Sequence, residues 1–338
     1  MEDRITVEAA YYKNTLEGLI YNVPQVPSAG LPTDPMLNIA SMSNKGFEFA
    51  INADAVRTNN FSWSPSFNIS FNKNKVTSLS EGLTQFITAT SSLESANISR
   101  VGEPLGMLYA VRTNGVDPAS GRRIFIEQAT GKNVLYQQVA PAGQFRYTYE
   151  DGTEAPSISL SKDGVAYKNT QPKFVGGFDN NFRYMAFDLG LTFTYQLGFY
   201  VYYGTNSGLR DQRFWNNSTD MLRRWTAPGQ ETDIPKIIAG DNVSNGSSFP
   251  IDVNVFKGDF LKLRSATFGY TLPASFLNKA KIASARIYVS GNNLWILSDY
   301  PGSDPEVSSN GNTSSAPGID RNSVANGRAF TAGISVKF

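Results

Sequence analysis

Two carboxylates separated by one proline, Asp304 and Glu306 in "DPE", look most like catalytic machinery in this sequence. Glycoside hydrolysis needs two carboxyl groups about 5–9.5 Å apart across a sugar, on a rigid site that tunes their pKa values. A proline-flanked pair in a loop rich in Gly, Ser and Asn reads instead as solvated or structural. Asp117 and Gly121 in "NGVDPASG" suggest calcium, but a calcium loop needs about six to eight oxygens and a fuller acidic set. Asp, Pro, Ser and Gly in that order spell a turn. The chain has no histidine and no cysteine, which removes imidazole bases, thiolates, disulfides and the usual zinc sites. No catalytic, metal or cofactor residue is assigned, and the expectation is a protein that is not an enzyme.

Recognition rather than reaction is the other chemistry on offer. In "DQRFWNNSTDMLRRW" the residues Phe214, Trp215, Met221, Leu222 and Trp225 recur at spacings near three to four, which predicts a short helix with an apolar face. That face either packs on neighbouring loops or sets Trp215, Trp225, Arg223 and Arg224 against a substrate or partner, since aromatic rings and Arg are enriched at interfaces.

The elements that position these loops read as long strands. In "AFDLGLTFTYQLGFYVYY" the apolar Phe187, Leu189, Leu191, Phe193, Tyr195, Leu197, Phe199 and Val201 share one parity, and Asp188, Gly190, Thr192, Thr194, Gln196 and Gly198 hold the other. Successive strand side chains point to opposite faces, so the strand has one oily and one wet side. The same alternation runs through Ile5 to Tyr11, Phe47 to Ala53, Phe61 to Phe71, Phe174 to Tyr184 and Phe330 to Phe338. No charged residue falls on the apolar parity of any of these six. Strands are also expected over 257–272 and 283–297, the first with a bulge near Ser265 where its phase changes.

Lipid and a protein core both purge charge from a strand face, but length and connections separate them. These strands run well beyond the five or six residues usual in globular domains, and a tilted membrane-spanning strand needs about 9–11. Long connections are expected over 14–42, 76–171, 204–256 and 298–328, and short ones near 58–60, 185–186 and 273–282. That asymmetry is the habit of outer-membrane barrels. Charged residues are only 17% of the chain and aromatics reach 12%, with a net charge of +1, so no nucleic-acid partner is indicated. The start, "MEDRITVEAAYYKN", does not read as a signal peptide.

Ordered along the whole chain, "YYKNTLEGLI", "MSNKGFEFAI", "FNKNKVTSL", "VGEPLGMLYAVRTNGVDPASG", "QPKFVGGFDNNFRYMAFDL", "FLKLRSATFGYTLP", "IYVSGNNLWILSDYPGSDPEV" and "AGISVKF" resemble the SusC/RagA-like TonB-dependent transporters of the outer membrane. Each stretch is weak alone; eight in order are specific. The resemblance implies an all-β fold: an antiparallel transmembrane β-barrel portion, about eight to ten long strands of a larger barrel of about twenty-two, without its plug. Residues 1–338 would be the carboxy-terminal part of that barrel, the larger count requiring a hairpin within 103–140. The implied function is a share in outer-membrane import of oligosaccharide or peptide. The implied partners are a SusD-like surface lipoprotein lid, the TonB complex through amino-terminal regions absent from this sequence, and outer-membrane lipid. The implied location is the cell outer membrane. Trp215, Trp225, Arg223 and Arg224 become candidates for substrate or lid contact. Phe338, with Val336 and Phe330 on its parity, resembles the terminal signal that barrel-assembly machinery reads. A soluble β-rich adhesin or ligand-binding module, and a small closed outer-membrane barrel, are the competing readings.

Overall fold

The structure, a computed structural model, describes residues 4–22, 36–79, 83–88, 95–277, 281–311, 313 and 315–338. Eight long strands make one antiparallel sheet: β1 Ile5–Asn22, β2 Met36–Ala53, β3 Phe61–Leu79, β4 Phe174–Tyr184, β5 Phe187–Leu197, β6 Phe260–Thr271, β7 Ser284–Leu297 and β8 Ala329–Lys337. They pair in chain order, and a two-residue strand Val56–Arg57 adds to β3. Among the described residues β1 and β8 do not pair with each other, so the sheet is open and the small closed barrel is ruled out. The segment 103–140 adds no strand to it: its short strands belong to separate sheets.

The register lines up the apolar parity across neighbouring strands. Trp63, Phe67 and Phe71 of β3 stand opposite Phe182, Phe178 and Phe174 of β4, and Phe178 meets Phe193 of β5 with rings stacked at 4.5 Å. The row continues through Leu189 to Phe268, Phe268 to Val289, and Val289 to Ala332. Among the described residues no second layer covers this face: Phe268 is 49% exposed, Val289 52% and Ile334 69%. A soluble sandwich would bury such a face against another sheet. Strands β4 and β5 are each 11 residues long, the span a tilted strand needs to cross hydrocarbon.

Strand β6 contains the bulge that its sequence phase demands. Leu263 pairs with Phe193 and Ser265 with Thr192, leaving Arg264 as the extra residue. Before it Leu261 and Leu263 face outward; after it Ala266 and Phe268 do. Opposite the bulge, Asn293 of β7 takes a left-handed backbone with φ of 53°, a conformation that Asn tolerates better than most residues.

Connections at one end of the sheet are tight. Tyr184 and Phe187 flank a two-residue turn whose Met185 has φ of 52°. At the other end they are long, and they build a folded cap. The strands reach further toward that cap than the sequence suggests. Residues 14–22 and 36–42, expected within a loop, extend β1 and β2, and β3 continues to Leu79. Alternation is imposed by the solvent on each face; where a strand leaves hydrocarbon, backbone pairing persists without an oily parity. In this extension the sides invert. Met42 and Val76 point to the otherwise polar face and are buried against Leu105, Leu19 and Leu79.

The cap contains the protein's buried core. Residues 83–168 contribute one four-stranded sheet from 85–88, 97–100, 107–111 and 164–168, and another from 113–116, 123–126, 133–136 and 147–148. A third sheet joins Tyr200–Tyr203 to Val255–Lys257 and, in parallel, to Ile319–Asp320. Val111, Phe125, Val134, Tyr136, Ile158 and Ile251 form its largest cluster. Asp117 closes a hairpin turn as its sequence predicts: Gly121 N donates to Asp117 O at 2.8 Å, and Ala119 and Ser120 amides turn to its carboxylate. The same turn recurs ten residues later, with Gly131 N on Glu127 O at 2.8 Å. Fully buried Arg123 donates to the carbonyls of Gly115, Asp233 and Ser244, fastening this sheet to the 204–256 segment. Burial lowers its pKa to about 10, so it remains a cation at neutral pH.

The outward face carries a direct prediction. Replacing Phe268 by Lys in the full-length protein should cost about 2–4 kcal/mol of unfolding free energy in bilayers. Thr267→Lys, on the wet face, should cost less than half as much. Equal losses in denaturant titrations would place protein, not lipid, against Phe268.

Candidate functional site

The polar face of the sheet and its junction with the cap hold the charges that the outer face excludes. Near the turn end, Arg286 of β7 reaches across Gly269 of β6 to Asp188 of β5, with Nε 2.9 Å from Oδ1. The glycine leaves room for that crossing: a Cβ at position 269 would run into the Arg286 guanidinium and make the side chain shift.

Near the cap, the bulge presents a second cluster. Lys262 and bulged Arg264 both face inward, where the 298–328 segment folds back over them. Lys262 Nζ donates to Asp304 at 3.0 Å and to Glu306 at 2.7 Å, and Arg264 Nη2 lies 2.5 Å from Glu306 Oε1. Lys262 and Asp304 are 3% and 4% exposed. Arg264 also donates to Thr194 of β5 and Asn293 of β7, and Asn326 Nδ2 approaches Asp304. The two carboxylates of "DPE" are thus structural, as the sequence suggests, clamping a cap segment to the wall. Burial raises the Glu306 pKa, but hydrogen bonds and charge from Arg264 and Lys262 outweigh it and leave the carboxyl below its ordinary value.

The recognition candidates lie on the 204–256 segment, and the predicted helix over 211–225 is not what forms. Only Thr219–Arg223 is helical, as a 3-10 turn. Short polar side chains satisfy the backbone before it instead: Asn217 Nδ2 donates to Leu209 O and Asp211 O, and Asp211 accepts from the Arg213 amide and guanidinium. Such local bonds compete with helix. Met221 consequently points inward, 5% exposed, whereas Leu222 points out at 76%. Trp215 is 60% exposed and stacks obliquely with Phe214, itself 81% exposed, at 5.8 Å. Trp225 packs on Gly121 and donates Nε1 to Pro118 O at 2.9 Å. Arg223 pairs with Asp220 and Asp233, and Arg224 Nη1 approaches Met221 O. Phe214 was carried by the sequence only as part of the apolar face; its exposure makes it the partner of Trp215. Spacing along the chain does not reveal the bulge cluster, because its four charges come from segments about forty residues apart.

The clamp sets a pH response. A carboxyl depressed in the folded state stabilises above its unfolded pKa of about 4.3 and loses that contribution as pH falls through the lower folded value. Amide hydrogen exchange within 298–328, corrected for the intrinsic pH dependence of exchange, should therefore be slow at pH 6 and speed up below about pH 4. Asp304→Asn combined with Glu306→Gln leaves buried Lys262 uncompensated, a loss of about 3–5 kcal/mol. That variant should be cut at pH 7 by trypsin within the same segment; resistance equal to the parent would show that the clamp does not hold it.

Comparison with known proteins fits this geometry. No family model matches the chain. The chain is 31% identical over 348 residues to TonB-dependent receptor P3 of Formosa agariphila, covering all of this chain and 33% of that protein. It is 24% identical over 358 residues to TonB-dependent receptor SusC of Bacteroides thetaiotaomicron, covering all of this chain and 30% of that protein. The chain thus spans about one third of the length of these relatives. Among solved structures, the RagAB peptide transporter superposes with a TM-score of 0.78 at 21% identity, over 99% of this chain and 34% of that one. The RagAB peptide importer in its open-open state gives 0.75 at 20% identity over 99% and 33%. These relatives are named as receptors and transporters, not as enzymes. Over its whole length the chain is thus similar in sequence to about one third of these TonB-dependent receptors, and its fold agrees with the matching third of the RagAB transporter.

Proposed function

We propose that this chain supplies part of the barrel wall and outer loop cap of a TonB-dependent importer in the cell outer membrane. One observation carries the reading: an eight-stranded sheet is apolar and uncovered on one face, polar on the other, with its long connections gathered at one end. Hydrocarbon is the solvent that suits the first face and an aqueous lumen the second. Unpaired strand edges are untenable in lipid, so β1 and β8 are completed by strands outside this chain. Uptake is energised by the TonB complex through segments that also lie outside it.

Cargo is an oligosaccharide or a peptide, captured with a SusD-like surface lipoprotein. SusC and RagAB stand among the relatives and fold neighbours, and the RagAB name specifies peptide for that complex alone. The ligand would be held between lid and cap, a plug would move, and this wall would give the passing ligand a polar surface. Trp215, beside Phe214, is the proposed contact for lid or substrate; Arg223, Arg224 and Trp225, on the same 204–256 segment, are the further candidates. Phe338, Val336 and Phe330 end the outward face of β8 and serve as the barrel-assembly signal.

Full-length protein should require detergent and migrate faster on gels before boiling than after. A soluble, monodisperse, heat-indifferent protein would favour the adhesin reading. Trp215→Ala should weaken lid association about tenfold or more, as expected for an aromatic anchor. Unchanged lid binding and unchanged uptake would remove Trp215 from recognition. The purified chain alone, reconstituted in vesicles, should carry no flux.

A further inference from the structure

The outward face of the sheet is not even. At its cap end an open groove of about 650 Å³ follows the cross-strand row Ile69, Gly176, Tyr195, Leu261 and Leu297, which runs from β3 to β7. Gly176 makes the depression. Tyr195 lies over it instead of standing out, its hydroxyl donating to Asn68 O at 3.0 Å, and a Cβ at position 176 would run into that hydroxyl. Phe67 stacks beside Tyr195 at 6.3 Å. Lipid tails are as apolar as this floor, so filling it gains packing alone and does not tell one lipid from another. Any selection has to come from the rim.

Charge returns where the strands end. Strand β4 begins at Phe174, β5 ends at Leu197, β6 begins at Phe260 and β7 ends at Leu297; Lys173, Asp259 and Asp299 stand just beyond. Asp259 and Asp299 share the outward parity of Leu261 and Leu297 and line the groove. Asp259 Oδ1 accepts from Gly198 N at 2.6 Å, which fixes the carboxylate and leaves Oδ2 without a partner among the described residues. Asp299 is exposed and enters no ion pair among them. Lys173 N donates to Leu197 O at 2.9 Å, and its Nζ stands 5.5 Å from the centre of the Phe174 ring, also outside any ion pair among the described residues.

We propose that this groove seats one chain of a lipid with a phosphoethanolamine headgroup, its ammonium on Asp259 and Asp299 and its phosphate on Lys173. A primary ammonium brings three N–H donors to the two carboxylates, and such charge-assisted bonds are stronger than neutral ones. A choline headgroup carries the same charge without a donor. A glycerol headgroup sets its phosphate before two carboxylates with no cation between them. Continuity with the row that faces hydrocarbon makes the occupant a lipid. The inference rests on the importer reading, which puts this face in the membrane.

Native mass spectrometry of the complete protein tests it, after release from micelles holding equal amounts of dioleoyl phosphatidylethanolamine, phosphatidylcholine and phosphatidylglycerol. The ethanolamine lipid should be retained about twofold to fivefold over either competitor, the worth of exposed charge pairs. Asp299→Asn, outside the paired strands, should bring it down to the choline level. Leu261→Trp, which fills the groove, should abolish the preference with unchanged gel mobility before boiling. Equal retention of the three lipids by the parent, or a preference unchanged by either variant, would overturn the proposal. So would retention of the glycerol lipid above the ethanolamine lipid on adding calcium, the mark of a cation-bridged phosphate. A wrong headgroup leaves detergent dependence and heat-modifiable migration in place, whereas a soluble protein that retains no lipid at all removes the importer reading as well.

Discussion

In hydrocarbon a backbone amide or carbonyl has no water to turn to, and that constraint organises this chain. Every peptide group crossing the apolar band must be bonded to a neighbouring strand, which enforces continuous pairing from β1 through β8. The same solvent selects the outward parity. Rings and branched aliphatics meet in cross-strand rows such as Phe67, Phe178 and Phe193, and charge is kept to the opposite face. A sheet so built has no conventional core of its own. Its stability lies in strand pairing, side-chain rows and the lipid that takes the place of a second layer.

Where the hydrocarbon band ends, the physical rule changes and so does the protein. Strands β1, β2 and β3 continue past the level at which β4 and β5 stop, and their inner side becomes apolar because Leu105 and its neighbours, not an aqueous lumen, now cover Met42 and Val76. Beyond them the cap is an ordinary folded structure, with small sheets, hydrophobic clusters and a buried arginine bonded to carbonyls. The described parts of the long connections are therefore folded surfaces. A binding site on them can be held as firmly as one in a globular domain.

The bulge in β6 connects the two regimes. By inserting Arg264 it restores the outward parity for Ala266 and Phe268 and also turns a second cation inward beside Lys262. Those cations are then available to Asp304 and Glu306, so a local irregularity in the wall becomes the anchor of a cap segment. Bulges commonly re-aim side chains in this way. Here, the device that keeps the lipid face clean and the device that positions the 298–328 segment are one residue.

Parity is local information, and the sequence alone therefore determined the strand class, the oily face, the tight turns and the position of the bulge. Ordered motifs such as "FLKLRSATFGYTLP" and "AGISVKF" carried the family. Strand extensions at 14–22 and 36–42 were hidden because water on both sides of a pairing strand leaves no alternation to read. The 211–225 segment misled for a related reason: spacing near 3.6 marks a helix only if the backbone is not already bonded by Asn217 and Asp211. Tertiary structure alone decided which charges meet. Lys262, Arg264, Asp304 and Glu306 come together through a chain reversal that brings segments about forty residues apart within 4 Å, and electrostatic pairing across that separation leaves no periodic trace in the sequence.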